Sequence, residues 1–282
     1  MRFDQVTVPL APRSTANCLD LALCFLRHYL KPIAGLWATI ALPACILVYV
    51  LVDRYDFHLW MAMLIFFFVT SPLGVLLMAG AAPCAFGERF TYRGTWRRLG
   101  WRGVELIMKG LALRVAMALG SLLFLFPGWY LGVKYGFFVE QAILSKMARH
   151  LHDRRADELL EGEIGDLIFR SAAIGTFSAM IWWVLLFTVD FACSTLLGWP
   201  ILLGRCKVDM SYLGNLWELI EYIFGFLGSD PIVITAALAV ALMVYPIARL
   251  AWFFCYMDVR VRRDCWDIEL QIIQEAQRLE VV

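Results

Sequence analysis

Residues 126–140, with the sequence FPGWYLGVKYGFFVE, join two long apolar runs through a short turn that contains no charged side chain. A charge-free turn suits the side of a bilayer that carries few Lys and Arg residues. The same stretch brings Lys134 and Glu140 into apolar surroundings. A charged group there is costly, so each of these residues needs a partner or a function. The stretch therefore predicts a chain that turns back on itself at a membrane surface.

The composition supports a membrane protein. Of the 282 residues, 61% are hydrophobic and 17% are charged, whereas about 25% of the residues in a soluble domain are charged. The formal net charge is +1, so no strong field attracts nucleic acid and we expect no nucleic-acid partner.

Six apolar runs predict an all-α, polytopic bundle of about six transmembrane helices. Each run approaches the roughly 20 residues that a helix needs to cross a bilayer, and none alternates like a strand of a membrane barrel. The predicted spans are residues 33–52, 59–82, 111–126, 129–144, 172–196 and 232–256. They divide the chain into an N-terminal amphipathic segment (1–32), a transmembrane domain (33–257) and a C-terminal amphipathic helix (258–282).

The Lys and Arg residues fall mainly on one side of these spans. Of the 25, 20 lie in four segments that the six spans place on the same side. Those segments are residues 1–32, 86–110, 145–171 and 249–282. The opposite side holds only Arg54, Arg205 and Lys207. Because basic loops stay in the cytoplasm, this bias predicts that both termini are cytoplasmic.

Two cytoplasmic segments are predicted to form amphipathic helices. Residues 14–29 begin with Ser14 or Thr15 as N-cap and carry leucines at helical spacing (Leu19, Leu23, Leu26 and Leu30), so this helix is expected to lie along the membrane surface. The C-terminal helix contains two (i, i+4) ion pairs, Asp258 with Arg262 and Arg263 with Asp267. It must cover its own bundle, the lipid surface or another subunit. We predict it to be a docking helix through Asp258, Arg260, Arg262, Arg263, Trp266, Asp267 and Glu269.

Residues 88–109, which we call the Arg–Trp segment, mix arginines with aromatic residues. One interpretation is an interfacial loop or helix whose rings lie at headgroup level. The other is a specific site for anionic lipid or a protein partner. Its candidate contact residues are Arg93, Trp96, Arg97, Arg98, Trp101 and Arg102.

Two features are predicted for the outer side. Asp230 precedes the sixth span and can act as its N-cap. Cys193 and Cys206 both lie near the outer face, so either a disulfide or two free thiols fits the sequence.

Four charged residues are predicted to lie within the bilayer: Arg114, Lys134, Glu140 and Asp190. Their depths suggest two pairs, Lys134 with Asp190 and Glu140 with Arg114. They serve either as structural ion pairs that fix helix register or as a polar pathway for an ion or a lipid headgroup. No phosphate-binding loop, His-Glu-x-x-His or Gly-x-Ser-x-Gly motif occurs. We therefore expect a non-enzymatic protein without a cofactor or metal.

Two motifs resemble a known family. Residues 126–135 (FPGWYLGVKY) and residues 256–270 (YMDVRVRRDCWDIEL) are similar to bacterial multi-pass proteins related to the membrane domain of some glycerophosphodiester phosphodiesterases. The tail matches the Asp-x-Arg-x-Arg-x-x-x-Trp-Asp-Ile-Glu-Leu ending of their stand-alone members. The resemblance implies a bacterial inner-membrane protein. Stand-alone members are often encoded beside envelope proteins and AAA-type ATPases. The phosphodiesterase activity does not carry over, because it belongs to a separate soluble barrel for which this chain has no room.

The sequence leaves two functions open. The first is a membrane scaffold or subunit of an envelope assembly, with anionic lipids and other membrane subunits or a cytoplasmic ATPase as partners. The second is a small transporter or lipid-handling protein that uses the intramembrane charges.

Overall fold

The computed structural model describes residues 13–55, 57–85, 88–123, 125–144, 162–202, 205, 225–226 and 228–264. Within these ranges the chain is helical and contains no strand. The helices are α1 (Thr15–His28), α2 (Leu30–Tyr55), α3 (Leu59–Ala85), α4 (Tyr92–Leu123), α5 (Leu125–Lys134), α6 (Phe138–Leu144), α7 (Ile164–Leu197) and α8 (Pro231–Asp264).

Four of the described helices, α2, α3, α7 and α8, are long and apolar enough to cross a membrane. Each has a mean hydropathy of 1.9 to 2.2 over its most apolar part. Such helices satisfy their backbone groups internally, as lipid requires. The protein is therefore a helical membrane protein with four clear candidate spans, which match the predicted first, second, fifth and sixth spans.

The boundaries of these helices differ from the predicted ones. Helix α2 begins at Leu30 instead of residue 33, because Pro32 lies in its first turn, where the missing N–H breaks no helical hydrogen bond. Helix α7 begins at Ile164 and α8 continues to Asp264. The predicted boundary between residues 257 and 258 thus lies inside one continuous helix.

The predicted third and fourth spans take a different form. Helix α4 runs from Tyr92 to Leu123 with a kink at Gly100, whose φ is +47° and ψ is −146°. The predicted fourth helix, residues 129–144, is broken: α5 ends at Lys134 and α6 begins at Phe138. Residues 135–137, which we call the α5–α6 break, form a turn. The expected Pro-Gly turn is also displaced, because Pro127 and Gly128 lie inside α5.

Helices α4 and α5 pack closely through glycines. A Cβ on Gly128 would lie 1.9 Å from Ser121 Oγ and 2.6 Å from the Met117 carbonyl oxygen. A Cβ on Gly120 would lie 3.2 Å from the Gly128 Cα. Small residues of this kind let two helix backbones approach within a membrane. The stretch that begins at Phe126 therefore forms one side of a helical hairpin.

The chain divides into two compact units, and each of the four long helices contributes to both. The first unit contains residues 1–36, 71–176 and 246–282, and the second contains residues 37–70 and 177–245. An aromatic group lies in the first unit: the Phe25 ring centroid is 6.1 Å from that of Phe254, and the Phe90 centroid is 5.7 Å from that of Tyr29. In the second unit a core forms around Leu186 and Val240, where Trp182 Nε1 donates to the Ala237 carbonyl at 2.9 Å.

Helix α1 confirms the predicted cap and buries part of the predicted leucine stripe. Ser14 Oγ accepts a hydrogen bond from the Asn17 N–H, as an N-cap should. The residues that α1 buries are Cys18, Leu19, Ala22 and Phe25, whereas Leu30 lies beyond the helix and is exposed. Of the predicted leucine stripe, Leu19 is buried, and Leu23 and Leu26 are half-buried.

Candidate functional site

A buried ionic cluster centred on Asp258 is the most elaborate polar feature of the first unit. Asp258 Oδ2 lies 2.6 Å from Arg170 Nη1, and the Asp258 side chain is fully buried. Arg170, which is 6% exposed, also bonds Asp166 Oδ2 through its Nε at 2.6 Å. Arg262 Nε lies 3.1 Å from Asp258 Oδ1, which confirms the predicted Asp258–Arg262 pair. We call these residues, together with Arg13, the Asp258 cluster.

The Asp258 cluster joins three parts of the chain. Arg13, which precedes α1, donates its backbone N–H to Asp258 Oδ1 at 2.5 Å and accepts a bond from Arg262 Nη2 at 2.9 Å. Arg170 belongs to α7, and Asp258 belongs to α8. The side-chain charges of Asp166, Arg170, Asp258 and Arg262 sum to zero. Both carboxylate oxygens of Asp258 are occupied, so the group is built for holding segments together.

A second ion pair lies beside the α5–α6 break. Arg249 Nη2 of α8 is 2.7 Å from Glu140 Oε1, and the Glu140 side chain is fully buried. Arg249 Nη1 also donates to the Gly136 carbonyl at 3.4 Å. One guanidinium thus holds both the break and the first turn of α6.

Aromatic packing fixes the α5–α6 break against α8. The Phe137 ring stacks on Trp252 with centroids 4.6 Å apart and lies 5.1 Å from the Tyr256 centroid. A Cβ at Gly136 would come within 2.9 Å of Trp252 Nε1 and 2.5 Å of the Gly132 carbonyl oxygen. Only glycine therefore lets the break lie this close to the indole.

Both predicted charge pairs are wrong. Glu140 contacts Arg249 instead of Arg114. Lys134 makes no ion pair within the described part of the chain; its Nζ lies 5.5 Å from the Tyr135 ring centroid, at the C-terminal end of α5, where the helix dipole favours a cation. Arg249 lies inside the predicted sixth span. A search for charged residues within the predicted spans therefore identifies it together with the four residues named above.

Asp190 has a local structural role in the second unit. Its Oδ1 accepts the backbone N–H groups of Ile201 and Leu202 at 2.8 and 2.6 Å. The chain reaches these residues through Gly198, whose φ of +66° suits the residue after a helix. The carboxylate therefore secures the segment that follows α7.

Asp230 acts as the predicted N-cap. Its Oδ1 accepts the N–H groups of Ile232 and Val233 at 2.8 and 3.1 Å, and Arg205 Nη2 lies 3.0 Å from its Oδ2.

Cys193 carries a free thiol. Its predicted disulfide partner, Cys206, lies outside the described residues.

The Arg–Trp segment forms the first part of α4. Thr95 and Leu99 are buried, whereas Arg93, Trp96 and Arg97 are exposed. Arg98 pairs with Glu88. The structure does not describe the side chain of Arg102.

The predicted docking helix is described only in part. Arg260 is partly buried, and Arg263 Nε lies 3.8 Å from Glu163 Oε1. Trp266, Asp267 and Glu269 lie outside the described residues.

In the described part of the chain, no three His, Cys, Asp or Glu residues are arranged to hold a metal ion. The identified polar sites are therefore ion pairs and helix caps. No protein-family model, curated protein or solved structure matches this chain.

Proposed function

We propose that this protein is a non-enzymatic scaffold or subunit of a larger assembly in the bacterial inner membrane, with both termini cytoplasmic. The observation that carries the proposal is the use of its buried carboxylates. Asp258 bonds Arg170 and Arg262, Glu140 contacts Arg249, and Asp190 holds backbone N–H groups. Carboxylates that are bound within the chain stabilise its folded arrangement. A scaffold needs a stable fold more than it needs a free charged group.

The proposed topology has six crossings. Four are the long helices α2, α3, α7 and α8. The other two are the part of α4 after Gly100 and the α5–α6 pair. Residues 101–123 give a helix of about 34 Å, sufficient for a hydrocarbon core of about 30 Å. This crossing begins before the predicted third span (111–126) and takes in Arg102 and Lys109, so 18 of the 25 Lys and Arg residues remain on the cytoplasmic side. The close α4–α5 hairpin supports this pairing, and the distribution of Lys and Arg supports the cytoplasmic termini.

The proposed docking surface is the cytoplasmic end of α8 and the residues after it. The Asp258 cluster fixes the C-terminal part of α8, which lies directly before the proposed docking residues. A truncation that removes residues 258–282 would destroy the cluster and confuse docking with folding. Ending the chain after Asp264 keeps Asp258 and Arg262 in place.

We expect the chain that ends at Asp264 to stay folded and to lose its protein partners. The measurement is quantitative mass spectrometry of proteins that co-purify from the native membrane in mild detergent, with the full chain as reference. An R54Q variant, altered at an exposed residue on the predicted outer side, should retain every stoichiometric partner. Equal recovery of partners by the truncated chain would reject the docking proposal.

The α5–α6 break favours a second candidate, a transporter. Broken helices with buried charges form the substrate sites of many secondary transporters. If Glu140 belongs to such a pathway, E140Q should lower ion or lipid flux in proteoliposomes at least tenfold, because the neutral side chain cannot reproduce the charge that meets Arg249. D53N, at an exposed carboxylate beyond the predicted first span, is the control. Unchanged flux for folded E140Q would exclude this pathway.

A further inference from the structure

One side of the Arg–Trp segment is buried and packs against α2 and α3. Phe90 is 6% exposed and Leu99 is 9% exposed. A Cβ on Gly80 would overlap the Phe90 ring at 1.8 Å, so this glycine in α3 gives the ring its place. Tyr92 packs toward Gly35 of α2, where an added Cβ would lie 3.5 Å from the ring. The position of the first part of α4 is thus fixed by packing.

The outward face of the segment presents two guanidinium groups. Arg93 and Arg97 lie four residues apart, so they share one side of the helix, and both are exposed. In the described part of the chain neither forms an ion pair, whereas neighbouring Arg98 pairs with Glu88. Two positive charges without a carboxylate, held on a fixed helix, favour an anionic ligand.

The aromatic residues beside these arginines match a lipid in particular. Trp96 is 42% exposed, and its ring lies 6.4 Å from that of Tyr92 in an edge-on contact. The backbone turns at Gly100, and Trp101 is then 88% exposed. Indole rings are favoured at the level of lipid headgroups.

An exposed apolar stripe continues along α4 after Trp101. Its members recur at spacings of four and seven residues, as on one face of a helix: Val104, Met108, Val115 and Leu119, which are 43–59% exposed. Along the chain, Arg93 and Arg97 with Trp96 between them come first, then Trp101, and then the apolar stripe. This matches the order of a phospholipid: phosphate, glycerol region and acyl chain. A soluble anion would use only the first of these three parts.

We propose that Arg93 and Arg97 bind the phosphate of an anionic phospholipid, with Trp96 and Trp101 at its glycerol region and an acyl chain along the α4 stripe. This site is independent of the proposed scaffold function, because it involves neither the end of α8 nor a protein partner. It also places the α4 kink at the membrane surface.

The test is native mass spectrometry of the purified full chain titrated with phosphatidylglycerol or, separately, phosphatidylcholine. We expect phosphatidylglycerol to bind more tightly than phosphatidylcholine. The double variant R93Q/R97Q should bind phosphatidylglycerol about 30-fold more weakly and each single variant about fivefold more weakly, since each basic residue near a lipid surface contributes about this factor. Phosphatidylcholine binding should change little.

The R54Q variant is the matched control for R97Q, because it removes one exposed arginine elsewhere. Its phosphatidylglycerol affinity should equal that of the unmodified chain. Three results would overturn the proposal: an unchanged preference in R93Q/R97Q, an equal loss in R54Q, or complete displacement of the lipid by millimolar inorganic phosphate. Unchanged elution and thermal melting of the variants would exclude misfolding as the cause of a loss.

Discussion

Replacing Asp258 by alanine is expected to destabilise the folded protein by about 3–5 kcal/mol, the typical cost of removing one partner from a buried ion pair. The substitution leaves Arg170, which is 6% exposed, without its most buried counter-ion. It also removes the acceptor of the Arg13 backbone N–H. The measurement is the thermal midpoint in detergent, followed by size-exclusion chromatography, and a decrease of about 10 °C is expected.

Two further variants identify the cause of the Asp258→Ala effect. Asp53→Ala breaks an exposed ion pair with Arg54, in which the Asp53 side chain is 47% exposed, so its effect should be small. The double variant Arg170→Met with Asp258→Leu removes both buried charges and should recover more than half of the lost stability. If Asp258→Ala melts like Asp53→Ala, the cluster does not hold the fold. If the double variant recovers nothing, packing rather than charge is the cause.

Replacing Gly128 by alanine is expected to separate α4 from α5. The new Cβ would overlap Ser121 Oγ and approach the Met117 carbonyl oxygen at 2.6 Å and the Ser121 nitrogen at 2.8 Å. Two of these three atoms are backbone and cannot rotate away. Overpacking of this kind costs about 1–3 kcal/mol. Thermal midpoints of purified protein would report the loss.

Gly175→Ala is the matched control for Gly128→Ala. Gly175 lies inside α7, and nothing is within 4 Å of an added Cβ. The same chemical change there should be neutral or slightly stabilising, because alanine favours a helix more than glycine does. Equal stability of the two variants would show that the α4–α5 contact is looser than the structure has it.

The apolar runs predicted the long helices well, because burial in lipid requires long apolar segments with closed backbone hydrogen bonding. The ends of those helices were predicted less well. Helix α7 starts eight residues before the predicted span, so Arg170, which was counted among the cytoplasmic charges, lies inside the helix. Hydropathy indicates which residues can lie in the lipid. A helix can continue beyond the last of these residues into water, so hydropathy does not locate its end. The local caps at Ser14 and Asp230 were predicted correctly because each depends on only a few adjacent residues.

The polar sites were found only in part. The sequence singled out Glu140 and Asp258 but gave Glu140 the wrong partner and assigned Asp258 to an exposed docking surface. Arg170 was counted as one of many cytoplasmic charges, although it is the buried partner of Asp258. Such pairs join residues far apart in sequence, 88 positions in this case, and no local pattern specifies them.

The sequence by itself determined that this is a helical membrane protein, that its chain reverses near Phe126 and that Asp230 caps the last long helix. These features follow from composition, hydropathy and short-range capping. Only the tertiary structure decided that the helix after the reversal is broken at residues 135–137, that Arg249 meets Glu140 and that Asp258 joins Arg13 to α7 and α8. Those outcomes depend on which side chains helix packing brings together, and a buried charge takes whichever partner that packing supplies.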